Sequence, residues 1–113
     1  LVRSYTTKPN YITNFKIKAE IIDLNILNRK EYKIITDKIV LLENADPGYD
    51  WIFTKNIAGL ITRFGGVASH MAIRCAEFSI PAVIGCGEII YKELINCSSV
   101  EIDCIDKSLK TFN

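Results

Sequence analysis

The sequence has few of the residues and patterns that bind metals, cross-link chains or cross membranes. Among 113 residues there is one histidine, and the four cysteines form no C-x-x-C pair and none stands at a zinc-like offset from that histidine. A metal site is therefore not expected. No signal-peptide pattern and no continuous apolar span is present, so we expect no membrane partner, a cytoplasmic location and reduced thiols.

The charge balance also excludes a class of function. Fourteen basic and thirteen acidic residues leave a net charge of +1, which gives no basis for binding nucleic acid or an anionic surface. Four basic side chains precede the first acid, Glu20, but aromatic residues are not interleaved with them as in RNA-binding segments. The length suits one domain with a real core and is short for a complete enzyme with its own nucleotide site.

Apolar periodicity and turn residues predict the secondary structure. The predicted strands are 16–23, 33–36, 38–43, 58–62, 81–85 and 99–103, and the predicted helices are 49–55, 69–78 and 88–95. Residues 1–14 are expected to be an extended lead or linker and 106–113 a polar tail, with 15–113 forming the domain.

Strands and helices alternate from residue 38 onward, which predicts an α/β fold with a mixed sheet flanked by helices. The earlier strands would add an antiparallel part or a separate small sheet. The loop 63–69 would lie at the carboxyl end of its strand, where open α/β sheets commonly bind ligands.

The histidine stands where a strand, a glycine loop and a helix start meet. Gly65 and Gly66 leave backbone N–H groups unobstructed, and Ser69 is a typical N-cap residue directly before His70. A helix N-terminus of this kind favours anions. Because Arg74 lies four residues on, it shares the helix face of His70. This arrangement predicts a histidine that accepts and passes on a phosphoryl group.

Two other functions are less well supported by these residues. Gly85-x-Gly87 begins like a dinucleotide fingerprint, but Ile90 occupies the third glycine position. A hydrolytic role for His70 as a general base would need a nucleophile or a carboxylate partner. The sequence offers neither nearby, and Glu77 is expected on the far side of the helix.

Residues 65–85 resemble the phosphohistidine domain (the PEP-utilising, mobile or swivelling domain) of phosphoenolpyruvate synthases, pyruvate phosphate dikinases and enzyme I of the sugar phosphotransferase system. The glycine pair, His70 and the Ile-Pro-Ala-Val run from Ile80 stand at the spacing of that family's pattern, G-G-x-T-S/C-H-x-A-I/V-x-A-R-x-x-x-I-P-A-V-x-G. Two positions depart from it. Ala68 replaces the usual threonine, and Arg74 stands two residues before the usual arginine position, which is Ala76 here.

The resemblance implies a compact swivelling β/β/α domain of a larger multidomain phosphotransferase. His70 would be the catalytic phosphoryl carrier, moving between an ATP-grasp nucleotide-binding domain and a domain that handles PEP, pyruvate or another acceptor. The expected phosphate contacts are Thr62, Gly65, Gly66, Ser69 and Arg74. No cofactor is expected in this domain, since Mg²⁺ and ATP would bind in the partner domains. An alternative stays open, in which the domain is a non-catalytic swivelling or interaction module with a vestigial histidine.

Overall fold

The computed structural model describes the backbone of residues 2–6 and 26, and all of residues 9–25, 34–44 and 47–113. Its strands are β1 (Val2–Thr6), β2 (Asn10–Ile12), β3 (Lys16–Asp23), β4 (Ile39–Leu42), β5 (Gly59–Thr62), β6 (Ala82–Ile84), β7 (Ser99–Asp103) and β8 (Ser108–Phe112). Its α-helices are α1 (His70–Phe78) and α2 (Gly87–Leu94), and Leu24–Ile26 and Pro47–Thr54 are 3-10 helices.

These strands form one mixed sheet in the order β1-β8-β7-β3-β4-β5-β6-β2. The central strands β3, β4, β5 and β6 run parallel, and the strands on both flanks pair antiparallel. Every residue of β4 and of β5 is buried. The nearly continuous apolar run in β4 is typical of a parallel strand covered on both faces.

Alternate side chains of the central strands feed two hydrophobic cores, one on each face of the sheet. Val40 and Leu42 pack in one core with α1 and the 3-10 helix Pro47–Thr54. Ile39 and Leu41 point the other way and pack with α2, β7 and β8. The sheet therefore separates α1 from α2, and α1 shares its face with the 3-10 helix.

Most of the predicted elements are confirmed, with ends shifted by one or two residues. The mixed sheet flanked by helices, the strands at 16–23, 38–43, 58–62, 81–85 and 99–103, and the helices at 69–78 and 88–95 are all present. The helix predicted at 49–55 is a 3-10 helix that begins at Pro47. None of the helices in the described part of the chain has the length and apolar character needed to cross a bilayer.

The strand predicted at 33–36 is wrong for the residues that are described there. Ile34 and Ile35 have 3-10 conformation and Thr36 lies in a turn, while Lys33 falls outside the described residues. Ile35 is buried but Ile34 is 44% exposed. An apolar pair does not by itself fix a strand, since a strand also needs a neighbour to pair with.

Residues 1–14, expected to be an extended lead or linker, and residues 106–113, expected to be a polar tail, both contribute strands to the sheet. Within 1–14, β1 pairs with β8 and β2 pairs with β6, so neither segment is a free linker. Within 106–113, β8 forms a hairpin with β7, and its buried side chains are Leu109 and Thr111. Local composition misses these strands because their partners lie far away in the sequence or on the other side of a turn.

The cysteines lie in the fold as free thiols. Cys75, Cys86 and Cys104 are buried, in keeping with the frequent use of cysteine as a small apolar residue. Burial raises the pKa of Cys75 and of Cys86 to about 12. These thiols are therefore protonated at neutral pH and serve packing rather than nucleophilic chemistry.

The integration of β8 can be tested by truncating one buried side chain. Leu109 is fully buried, whereas its strand neighbour Lys110 is exposed. Leu109→Ala should lower the free energy of unfolding by about 2–5 kcal/mol, because a cavity forms in the core. Lys110→Ala should change it by less than about 0.5 kcal/mol. Urea denaturation followed by circular dichroism measures both, and equal small effects would show that residues 108–112 are a free tail.

Candidate functional site

The site is built where β5 ends and α1 begins. β5 ends at Thr62, an exposed loop follows, and His70 is the first residue of α1. Ser69 caps the helix as predicted: its backbone is extended, and its side chain accepts a hydrogen bond from the N–H of Ala72 at 3.4 Å. His70 therefore stands at the positive end of the helix dipole, with its side chain 37% exposed.

Thr62 anchors the loop from below. It is fully buried, and its side-chain oxygen accepts a hydrogen bond from the N–H of Gly85 at 3.0 Å. Its carbonyl oxygen also accepts from the N–H groups of Gly85 and Cys86. In this arrangement Thr62 joins the ends of β5 and β6, and its predicted contact with a phosphoryl group stays a prediction.

The glycines of the loop differ in what they do. Gly65 has a φ of 128°, a backbone conformation that L side chains rarely adopt. Gly66 is exposed, and a Cβ added to it would meet no atom within 4 Å. Gly66 therefore leaves open space in front of the loop, which is the property expected of a residue that lets an anion approach the backbone.

An aspartate from the neighbouring 3-10 helix joins the predicted pair His70 and Arg74. The Oδ1 atom of Asp50 lies 2.9 Å from Nε2 of His70 and accepts a hydrogen bond from Nε of Arg74 at 3.1 Å. One carboxylate oxygen thus bridges the histidine and the arginine. The prediction that Arg74 shares the helix face of His70 is confirmed.

Arg74 is held by a second set of contacts farther down α1. Its guanidinium carbon lies 4.6 Å from the ring centroid of Phe78 and 5.8 Å from that of Phe53, and these two rings are stacked. Its Nη1 atom lies 3.5 Å from Oε2 of Glu77. Cation–π contacts of this kind fix the direction of an arginine while leaving some of its N–H donors available.

The electrostatics of the bridge favour an ionised Asp50. The hydrogen bond from His70 lowers the pKa of Asp50, with further lowering from Arg74 and partial opposition from desolvation. A lowered pKa means that the folded protein favours the carboxylate. The resulting stabilisation is present above the ordinary carboxyl pKa of about 4 and is lost as the pH falls through the lowered value.

Sequence reasoning missed Asp50, which lies twenty residues before His70. The expectation that His70 has no carboxylate partner is therefore wrong. Glu77 is also nearer to the site than expected, because it reaches Arg74. A general-base role for His70 would still need a nucleophile on the other ring nitrogen. In the described part of the chain, His70 forms its side-chain hydrogen bond with Asp50 and none with a hydroxyl or thiol.

The described residues also contain no group of three His, Cys, Asp or Glu side chains that could hold a metal ion. The site combines one imidazole, one guanidinium, one carboxylate and a glycine loop at a helix N-terminus.

Comparison with known protein families assigns the chain to one family. The sequence model described as "PEP-utilising enzyme, mobile domain" matches residues 34–107, which include the loop, His70 and Arg74. The chain belongs to this family. The loop, His70 and Arg74 therefore lie within a mobile domain of the kind found in PEP-utilising enzymes.

Individual relatives agree with this assignment. The chain is 35% identical over 60 residues to a rifampicin phosphotransferase of Bacillus cereus, covering 53% of this chain and 7% of that protein. It is 29% identical over 84 residues to a phosphoenolpyruvate synthase of Escherichia coli, covering 74% of this chain and 10% of that protein. The match thus spans only about a tenth or less of these much longer relatives.

The loop can be tested with a pair of glycine substitutions. A Cβ on Gly85, whose φ is +79°, would lie 2.4 Å from the carbonyl oxygen of Gly65. Gly85→Ala should therefore cost about 1–3 kcal/mol of stability through strain and displacement of the loop. Gly66→Ala should change stability by less than about 0.5 kcal/mol, since the space is open. Thermal unfolding compares the two, and equal losses would contradict this description of the loop.

Proposed function

We propose that this mobile domain is a phosphoryl carrier, in which His70 takes a phosphoryl group from one site and delivers it to another. The observation that carries the proposal is the bridge from His70 through Asp50 to Arg74 at the N-terminus of α1. It puts an exposed nucleophile, an anion position and a fixed cation side by side. These are the parts that a covalent phosphoryl adduct requires.

Transfer would proceed by nucleophilic attack. The lone pair of a ring nitrogen of His70 attacks the phosphorus of the donor, and the bond from phosphorus to the leaving oxygen breaks. The adduct carries negative charge that Arg74 and the helix N-terminus would stabilise. The open space at Gly66 would admit the group to the loop backbone. The reverse step would pass the group to the acceptor.

The donor and the acceptor would be bound by other domains of the same chain. Two of the relatives are a phosphoenolpyruvate synthase and a rifampicin phosphotransferase, both far longer than the aligned region. By analogy we propose an ATP-grasp domain as the nucleotide partner, and a PEP, pyruvate or other acceptor domain as the second partner. Mg²⁺ and ATP would bind in those domains, and the intact enzyme would act in the cytoplasm.

The test is phosphoryl labelling of the intact protein, including any residues that flank these 113. After incubation with labelled ATP or PEP, wild type should carry an acid-labile, alkali-stable label, as expected of a phosphohistidine. His70→Ala should abolish the label and leave the fold intact, because the side chain is partly exposed at a helix end. Mass spectrometry of the intact protein and thermal unfolding measure the two effects.

Two results would contradict the proposal. Label retained in His70→Ala would show that another residue is the phosphoryl carrier. Absence of label in folded wild type with either donor would favour the alternative of a swivelling module without transfer activity.

A further inference from the structure

We propose that Asp50 is the resting counter-ion of the carrier site and that phosphorylation of His70 on Nε2 displaces it. In this exchange Arg74 passes from the carboxylate of Asp50 to the phosphoryl group. The inference rests on the carrier function proposed above and assigns to Asp50 a role in gating that site.

Asp50 contacts both His70 and Arg74 through one carboxylate oxygen. Oδ1 of Asp50 lies between Nε2 of His70, at 2.9 Å, and Nε of Arg74, at 3.1 Å. A phosphoryl group bonded to Nε2 would place its oxygens at a similar non-bonded separation from that nitrogen, within reach of the same arginine. The carboxylate oxygen therefore occupies space that a phosphoryl group on Nε2 would fill.

The charge of Asp50 opposes a phosphoryl group at the same place. Asp50 is ionised at neutral pH, since the ordinary pKa of a carboxyl group is about 4 and the contacts with His70 and Arg74 lower the pKa of Asp50 further. A carboxylate and a phosphoryl group at one position repel each other and cannot share a single arginine N–H. Asp50 is 43% exposed, so its side chain can rotate into solvent at little cost. Its helix stays docked through Ile52, which is fully buried.

Arg74 is also held by a contact outside the charged group. Its contact with the Phe78 ring does not depend on Asp50, so the guanidinium stays in place when the carboxylate leaves. The freed Nε–H then donates to the phosphoryl group, and a charge-assisted hydrogen bond replaces the one that was lost. Arg74 thus stays paired with an anion throughout the exchange, first with Asp50 and then with the phosphoryl group.

The proton balance makes Asp50 a brake on the resting histidine. An ionised carboxylate only accepts hydrogen bonds, so Nε2 carries a proton in the resting contact. Before attack this proton passes to water and Nδ1 takes one up, which leaves the lone pair on Nε2. That lone pair bonds to phosphorus, and the donor's bond to its leaving group breaks. The hydrogen bond to Asp50 keeps the proton on Nε2. Phosphorylation is therefore slow until Asp50 moves away.

The experiment uses potassium phosphoramidate, a small donor that needs no nucleotide or PEP site and releases ammonia as its P–N bond breaks. The intact protein is treated with it, and phosphohistidine is followed over time by mass spectrometry. Asp50→Asn, which keeps the size of the side chain and removes its charge, should increase the rate constant about tenfold over wild type.

The matched control is Glu77→Gln. It removes one negative charge that also lies near Arg74, at 3.5 Å, while the hydrogen bonds of His70 involve Asp50. The rate constant of this variant should stay within about twofold of wild type, since a surface ion pair is worth little. His70→Ala, treated in parallel, gives the background labelling.

An Asp50→Asn rate equal to or below that of wild type overturns the exchange, because a merely structural role predicts no gain. An equal gain in Glu77→Gln also overturns it, since the effect would then be one of general charge. Failure of the carrier function would instead appear as missing label from ATP and PEP, with the phosphoramidate rates unaffected.

Discussion

The position of His70 depends on the parallel pairing of β4, β5 and β6. Because these strands run in one direction, the 3-10 helix after β4 and the helix after β5 both begin beyond the carboxyl ends of the parallel strands. Both then pack in the same core. Asp50 and His70, twenty residues apart in sequence, are brought into hydrogen-bond contact by this pairing. Loss of the pairing would separate the carboxylate from the imidazole.

The two helices meet along a column of side chains with charged groups at one end and aromatic rings at the other. His70, Arg74 and Phe78 follow one another at intervals of one turn along α1. Asp50 and Phe53 face them from the 3-10 helix. The aromatic end fixes the arginine through dispersion and cation–π attraction, while the charged end stays partly exposed.

The sequence was sufficient for the parts of the fold that carry strong local signals. The apolar run of β4 and the capping residue Ser69 each predict their element directly, since burial on both faces and a free helix N-terminus leave a clear mark. Gly65 and Gly66 in the loop and His70 at the start of α1 lie within one short segment, so their spacing predicts an anion site.

The remaining features depend on contacts between distant segments. β1 and β2 exist because β8 and β6 offer them an edge, and nothing in residues 1–14 indicates those partners. Asp50 looks like any acidic residue in a first helical turn. Its role follows only from the docking of one helix on another, which no local pattern records.

The most direct test of the central claim is the site of phosphorus attachment on His70. Intact protein labelled with ¹⁵N-histidine and phosphorylated by its own donor should give a ³¹P signal coupled to Nε2 of His70. The carboxyl resonance of Asp50 should move at the same time, as it loses its hydrogen bond to the ring. Coupling to Nδ1 with an unmoved Asp50 resonance would contradict the account, as would phosphorus attached to any other residue.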